Sequence, residues 1–256
     1  MTRIAIDAMG GDYAPAAIVD GAVWAARDYD IPIELVGKED EIKRELDRIA
    51  KKGISSNRGG YYTHKIKVDL TKLDIKITNA EEVIEMGEAV GQAIRKKKKS
   101  SIVLAVDAVA KGSSDAVVAA GSTGAAMASS LFGLGRLTGI ERPAIALTLP
   151  TIKKPFMLLD AGANSSCTPE MLYQFALMGS TFVKNVYGYE NPRVGVLNIG
   201  EEAGKGNELV QTAYKLLEEN KDGLNFIGNV EGKEIFKGSC DVIVCDGFVG
   251  NVALKM

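Results

Sequence analysis

The sequence predicts an α/β protein with three layers, in which helices cover both faces of a mainly parallel, mixed sheet. Short apolar runs alternate along the chain with longer stretches whose apolar residues recur at helical spacing. The short runs are nearly continuous in apolar residues, which is typical of strands buried on both faces. Glycine-rich polar segments follow most of these runs. We therefore expect parallel strands joined by right-handed helical crossovers.

The elements follow in chain order. We predict strands at 3–8, 33–36, 116–120, 144–148, 156–159, 193–197, 225–227 and 241–245, with one or two more between 65 and 78. We predict helices at 16–28, 38–52, 81–97, 101–111, 121–137, 168–187 and 207–219, and a loop at 53–62. Thr168 is the expected N-cap of its helix, with Pro169 in the first position.

We predict a single α/β domain over residues 1–256. A pair of intimate subdomains is the alternative. A helix-like run begins after Gly250 and stops at Met256, which suggests that the domain lacks a C-terminal segment. No apolar run reaches the roughly 18 residues of a spanning helix, so any membrane contact would be peripheral.

The net charge and the cysteine content indicate which classes of partner and which cellular compartment to expect. The net charge is −2, which argues against a nucleic-acid partner. The three cysteines, Cys167, Cys240 and Cys245, are odd in number and lack a CxxC spacing. They are typical of reduced thiols in a cytoplasmic protein.

Glycines, acids and amides gather at five predicted strand ends. In an open α/β sheet the carboxyl ends of the strands converge on one crevice, where ligands bind. We therefore expect the five corners to surround a single polar site. They are Asp7-Ala8-Met9-Gly10-Gly11-Asp12, Gly121-Ser122-Thr123-Gly124, Asp160-Ala161-Gly162-Ala163-Asn164, Asn198 to Glu202 with Lys205-Gly206-Asn207, and Asp246 to Asn251.

Two of these corners have the character of an anion site. Gly121 to Gly124 places two hydroxyls and unpaired amides at the start of a helix, where the dipole favours negative charge. Ser122 or Thr123 could equally serve only as an N-cap. Lys205 lies between glycines at another helix start, where the dipole repels a cation unless an anion is bound. A solvated loop lysine is the alternative.

The acids of the corners could donate or accept protons, or could cap backbone amides and hold the loops in shape. No metal-ligand spacing accompanies them, so we predict neither a metal nor a cofactor. The single histidine, His64, lies in a poorly patterned region without a Gly-x-Ser-x-Gly elbow, and we interpret it as a surface residue. The acids are Asp7, Asp12, Asp160, Glu201, Glu202 and Asp246.

Several blocks together carry a family resemblance. They are Ile4 to Pro15, Glu82 to Met86, Lys97 to Ser101, Ala120 to Ala125, Leu159 to Asn164, Asn191 to Gly195, Asn198 to Glu202, Lys205-Gly206-Asn207, Asn225 to Gly232 and Val244 to Asn251. In this order they resemble the phosphate acyltransferases of bacterial phospholipid synthesis. Ser122 stands where that family usually has asparagine, and family chains continue well beyond the Asp246-Gly247-Phe248 block.

The resemblance implies transfer of a fatty acyl group from acyl carrier protein to inorganic phosphate, which gives acyl phosphate. It also implies a fold similar to isocitrate and isopropylmalate dehydrogenases and to phosphotransacetylase. Family members are typically homodimers that associate peripherally with the cytoplasmic membrane, so both features are expected here.

For this reaction we assign the catalytic roles to Lys205, Asn164 and Asp246. Lys205, Ser122, Thr123 and the amides near Gly11 and Gly124 would hold phosphate, and Asn164, Asn207 and Asn251 would donate hydrogen bonds. The residues predicted to bind phosphate or substrate are Asp7, Gly10, Gly11, Asp12, Ser122, Thr123, Gly124, Asp160, Glu201, Asn207 and Asn251.

Two other functions stay open at the level of sequence. A catalytically incomplete chain could bind acyl carrier protein or a membrane surface, and a related short-chain phosphotransacetylase would share the fold. Phe132, Leu134 and Leu137 could line a groove for an acyl chain, although such residues are more often part of the core.

Overall fold

A computed structural model describes residues 2–56, 64–220 and 223–255. The chain divides into two compact units, Met1–Gly135 and Arg136–Met256. Each unit has its own sheet and its own core. The prediction that residues 1–256 form one domain stays a prediction.

The first unit alternates strands and helices as predicted. Its elements are β1 (Ile4–Asp7), α1 (Ala16–Tyr29), β2 (Ile33–Gly37), α2 (Glu39–Lys52), β3 (Ile54–Ser56), β4 (His64–Ile66), β5 (Ile75–Asn79), α3 (Val90–Lys96), α4 (Ser101–Ala110), β6 (Ala116–Ala119) and α5 (Thr123–Leu134). A parallel sheet runs in the order β5-β2-β1-β6, and β3 and β4 form an antiparallel pair.

Successive residues of β1 enter different cores, because side chains alternate between the two faces of a strand. Ile6 packs in a cluster with residues of α1 and α2, such as Val23 and Ile42. Ala5 belongs to a second cluster with Ala105 of α4. The first unit therefore has helices on both faces of its sheet, which is the predicted three-layer arrangement.

The second unit has a mixed sheet in the order β10-β9-β11-β8-β7, in which only β7 is antiparallel to its neighbour among the described strands. Its two faces are also covered: Leu159 packs with α6 and α7, whereas Leu158 packs with Ile235 and Ala253. The elements are β7 (Ala146–Leu149), β8 (Phe156–Leu159), α6 (Pro169–Tyr187), β9 (Arg193–Asn198), α7 (Glu208–Glu219), β10 (Asn225–Glu231), β11 (Val242–Val244) and α8 (Gly247–Lys255).

Two helix predictions need correction. The helix predicted at 81–97 is wrong over its first half, because only Val90–Lys96 is helical. Gly87 has a φ of +97°, which a right-handed helix does not allow, and Glu82 instead forms a parallel bridge with Ser100. The last helix begins at Gly247 rather than after Gly250, since the Asp246 side chain accepts the Val249 N–H and caps it earlier.

The structure describes part of the poorly patterned region. Residues 54–56, within the loop predicted at 53–62, form a strand, and residues 57–63 lie outside the described part of the chain. Between 65 and 78 the structure has the end of β4, a 3-10 turn at Leu70–Lys72 and β5. The side chain of His64 is outside the described residues, so its predicted surface position stays a prediction.

Candidate active site

The first two predicted corners lie against each other in the first unit. Strands β1 and β6 are parallel neighbours in which Asp7 pairs with Ala119, so their carboxyl ends lie side by side. A β-carbon on Gly10 would lie 3.0 Å from the Gly121 nitrogen, and one on Gly121 would lie 3.0 Å from the Gly10 Cα. This close approach of two backbones requires glycine on both sides.

Asp7 is buried where these corners meet, with 5% of its surface exposed. The Met9 N–H donates to Asp7 Oδ1 at 3.2 Å, and the Gly10 N–H and Ser101 hydroxyl also interact with the carboxylate. Burial raises the pKa of Asp7, and these hydrogen bonds offset part of that rise. The carboxylate thus holds the Met9–Gly10 loop in shape, while Asp12 is exposed to solvent.

The start of α5 retains the features of an anion site. Ser122 is the N-cap, and its Oγ accepts the Ala125 N–H at 3.3 Å. Thr123 and Gly124 follow in the first turn, where helix N–H groups lack intrahelical acceptors. The hydroxyl of Ser122 therefore serves the cap, and the first-turn amides are the groups suited to bind an anion.

Asp160 organises the third corner, in the second unit. Its carboxylate is fully buried and accepts five hydrogen bonds. The N–H groups of Ile145, Gly162 and Ala163 donate to Oδ1 at 3.0, 3.2 and 2.9 Å. The Asn164 backbone N–H and side-chain Nδ2 donate to Oδ2 at 2.7 and 2.9 Å. One carboxylate therefore fixes the whole turn.

Asn164 has both side-chain hydrogens engaged inside the protein. Its Nδ2 donates to Asp160 Oδ2 and, at 2.8 Å, to the Pro143 carbonyl oxygen. In this conformation the side chain positions the loop, and its assignment as a donor to the substrate stays a prediction.

The third and fifth corners are in direct contact. The Gly247 N–H donates to the Asn164 carbonyl oxygen at 2.8 Å. A β-carbon on Gly250 would overlap the Asp160 carbonyl oxygen, and one on Gly162 would lie 3.6 Å from the Asn251 side chain. Two segments about 85 residues apart are thereby locked together, as the strand-end argument predicts.

The fourth corner depends on Asn198, to which the sequence assigned no role. Its Nδ2 donates to the Lys205 carbonyl oxygen at 3.0 Å, and its Oδ1 accepts the Ile199 N–H at 2.8 Å. Asn198 is nearly buried, and it holds the loop that presents Lys205. Its place at the end of an apolar strand, directly before Ile199 and Gly200, was the available signal.

The side chain of Lys205 is exposed, and it takes part in no ion pair within residues 2–56, 64–220 and 223–255. Asn207 caps α7 by accepting the Val210 N–H at 3.0 Å, and Glu201 is exposed. An exposed cation beside the start of α7 can take up an anion, since the dipole favours negative charge there.

The structure brings together corners within each unit: the first with the second, and the third and the fourth with the fifth. The prediction that all five surround one hollow stays a prediction.

In the described part of the chain, no group of three or more histidine, cysteine or acidic side chains is arranged to hold a metal ion. Among the described helices, none combines the length and the hydropathy that a membrane-spanning segment requires.

The cysteine thiols should be poor nucleophiles at neutral pH. Burial, with a smaller contribution from Asp160 and Asp246, raises the pKa of Cys167 to about 11. About one Cys167 in a thousand should then be thiolate at pH 8. We expect iodoacetamide to label Cys167 slowly, at a rate that keeps rising above pH 9, as followed by mass spectrometry. Free cysteine is the control. A labelling rate that levels off below pH 9 would contradict the raised pKa of Cys167.

Comparison with known proteins identifies the family. The family described as fatty acid synthesis protein matches residues 2–256. The chain belongs to this family. A relative from Pelotomaculum thermopropionicum, named phosphate acyltransferase, is 52% identical over 99% of this chain and 68% of its own length. One of the same name from Heliobacterium modesticaldum is 53% identical over 99% of this chain and 70% of its own. The predicted family and the predicted enzyme class, an acyltransferase, are confirmed.

Solved structures agree on the fold. A phosphotransacetylase from Staphylococcus aureus has a TM-score of 0.66 at 16% identity, covering 99% of this chain and 80% of its own. A 4-hydroxythreonine-4-phosphate dehydrogenase from Klebsiella pneumoniae has a TM-score of 0.57 at 17% identity, covering 100% and 84%. At these identities the likeness shows the fold alone, and it confirms the predicted α/β class.

Proposed function

We propose that this protein transfers a fatty acyl group from the thioester of acyl carrier protein to inorganic phosphate, giving acyl phosphate for phospholipid synthesis. The observation that carries the proposal is family membership over residues 2–256, with close relatives named phosphate acyltransferase. The contact between the corner at Asp160 and the corner at Gly250 supports it, because it holds two strand-end segments side by side.

The proposed reaction needs little acid–base chemistry. A phosphate oxygen attacks the thioester carbonyl carbon, a C–O bond forms, and the C–S bond breaks as the carrier thiolate leaves. Phosphate is already an anion at neutral pH, so no histidine base is required. Holding the two reactants in line can lower the barrier by up to about 7–11 kcal/mol. A hydrogen-bond donor at the carbonyl oxygen adds about 3–4 kcal/mol.

The residues divide between binding and support. Lys205 would bind phosphate through its charge, and the first-turn amides at Thr123 and Gly124 are suited to an anion. Asp7 and Asp160 would act indirectly, because their carboxylates already hold backbone loops.

Replacing Lys205 with alanine should raise the KM for phosphate about 10- to 100-fold, the effect of losing a charge-assisted hydrogen bond. Because the side chain is exposed, the melting temperature should stay within a few degrees. Initial rates at varied phosphate concentration measure the effect. Lys215→Ala, which removes an exposed lysine of α7, is the matched control. A phosphate KM within twofold of wild type would remove Lys205 from the site.

The function itself is tested by incubating the chain with phosphate and a panel of acyl donors. Release of free carrier from hexadecanoyl-acyl carrier protein, with formation of acyl phosphate, supports the proposal. Turnover of acetyl-coenzyme A alone would favour a short-chain phosphotransacetylase. Binding of the carrier without turnover of any donor would favour a non-catalytic binding module.

We further propose that the protein is a homodimer that contacts the cytoplasmic membrane peripherally, as the family resemblance implies. Analytical ultracentrifugation measures the first property, and flotation with anionic vesicles measures the second. A monomer at micromolar concentration, or a protein that stays below the vesicles, would contradict the corresponding proposal.

A further inference from the structure

The second unit contains a concave apolar pocket of about 760 Å³, and the roles assigned above to polar residues do not account for its apolar walls. The pocket lies among the end of β9, the start of α7, the 3-10 turn after β10 and one face of α8. Its apolar walls include Ile199, Val210, Ile235, Phe236, Phe248 and Val252. Its volume falls within the roughly 300–1,000 Å³ of small-molecule sites, which are also mostly apolar.

Polar groups enter the pocket at the strand ends. Asn198 ends β9, Asp246 precedes α8 and Asn207 caps α7, and all three line the pocket. From Asp246 the apolar wall continues along α8 through Phe248 to Val252. At 1.5 Å per residue, it extends about 9 Å from the polar groups. The pocket is therefore polar at the strand ends and apolar along the helix.

Several of the lining side chains are left in water. Ile199 is 83% exposed, Phe248 66% and Phe236 53%. Exposed apolar side chains that gather around a concavity mark a binding site, because covering them releases free energy. The occupant must be apolar over most of its length and polar at one end.

We infer that this pocket binds the alkyl chain of the acyl donor, with the carbonyl end toward the side-chain amides of Asn198 and Asn207 and the chain along α8. This inference rests on the proposed acyl transfer. An unbranched alkyl chain fits the asymmetry of the pocket, since its only polar group is at one end. Val252 then limits the chain length that the enzyme accepts, because it lies at the end of the wall farthest from the polar groups.

The test adds bulk to the pocket and measures the binding of a fatty acid. Val210→Trp and Val252→Trp each fill part of the pocket from a different helix. Leu137→Trp is the control. It adds the same side chain at an exposed apolar residue of the groove that the sequence suggested for an acyl chain, which lies outside the pocket. The probe is cis-parinaric acid, followed by fluorescence and displaced by hexadecanoate. Its affinity should fall about 15-fold in each pocket variant, the effect of excluding two methylenes, and stay unchanged in the control.

Turnover supplies a second readout. Val252→Trp should raise the KM for a hexadecanoyl donor by a similar factor and leave the KM for a butyryl donor unchanged. Val252 is nearly half exposed, so its variant retains the fold if Val210→Trp does not. Turnover with an unchanged chain-length preference would overturn the inference and leave the proposed function standing.

The other outcomes are also decisive. Loss of parinarate binding in the pocket variants, without turnover of any donor by the wild type, would support the pocket and refute the proposed function. Weakened binding in Leu137→Trp alone would place the alkyl chain near Leu137, outside the pocket, and overturn the inference. A wild-type dimer that binds no parinarate, and that Phe248→Glu dissociates into monomers, would also overturn the inference. A second copy of the chain would then cover the pocket.

Discussion

Replacing Gly250 with alanine should lower the free energy of unfolding by about 3 kcal/mol, the upper range for forcing extra atoms into a packed site. A β-carbon there would overlap the Asp160 carbonyl oxygen and lie 2.9 Å from its carbonyl carbon. Neither atom belongs to a flexible side chain, so α8 would have to move away from the Asp160 corner. A protein of this size should lose about 6–12 °C in melting temperature, as measured by calorimetry.

A matched glycine makes this test specific. Gly21, in α1, has open space where a β-carbon would be added. Gly21→Ala should therefore stabilise the protein by about 0.5–1 kcal/mol through helix propensity. Cys245 Sγ also lies 3.0 Å from the position of the added carbon at Gly250. Adding Cys245→Ala should nevertheless not rescue Gly250→Ala, because the overlapping atom is main chain. Equal effects of the two alanines would show that the corner is not tightly packed.

Replacing Asp160 with asparagine should cost about 3 kcal/mol of stability and remove most of the proposed activity. The carboxylate accepts five hydrogen bonds in a fully buried position. An amide presents only one acceptor oxygen, so its NH₂ group would face either the Asn164 donors or the backbone N–H groups on the other side. A hydrogen bond to a buried charged group contributes about 1.5–3 kcal/mol.

The activity loss should exceed what unfolding explains. The corner at Asn164 contacts Gly247, so its displacement moves the start of α8 as well. A shift of about 1 Å in a positioning loop can lower kcat 100-fold. Assays well below the melting temperature separate this effect from unfolding. Asp69→Asn makes the same chemical change at an exposed turn cap and should alter neither property measurably. Full activity in a folded Asp160→Asn variant would exclude a positioning role.

Local patterns were sufficient for most elements and for the family. The strand before Asp7 and the helix capped by Thr168 follow from short apolar runs and capping residues. The prediction of a helix over 81–97 depended on apolar spacing alone and was wrong over its first half. The left-handed conformation of Gly87 and the bridge from Glu82 to Ser100 prevent a helix there.

The candidate site was predictable in its residue types but not in its contacts. Glycines and acids at strand ends indicated the corners. The contacts depend on atoms that only the folded backbone brings together. They include the helix caps at Ser122 and Asn207 and the two hydrogen bonds donated by the Asn164 side chain. Asn198 received no role because its partner, the Lys205 carbonyl oxygen, has no signature in the sequence.

The sequence by itself determined the alternation of strands and helices, the glycine-rich corners and the family, because each depends on residues close together in the chain or on blocks in a fixed order. Only the tertiary structure decided which corners touch. The strand order β10-β9-β11-β8-β7 places the residues after β11 beside those after β8, although about 85 residues separate them. The same order leaves an apolar pocket between α7 and α8. Contacts of this kind arise from the packing of distant segments, which a local pattern does not specify.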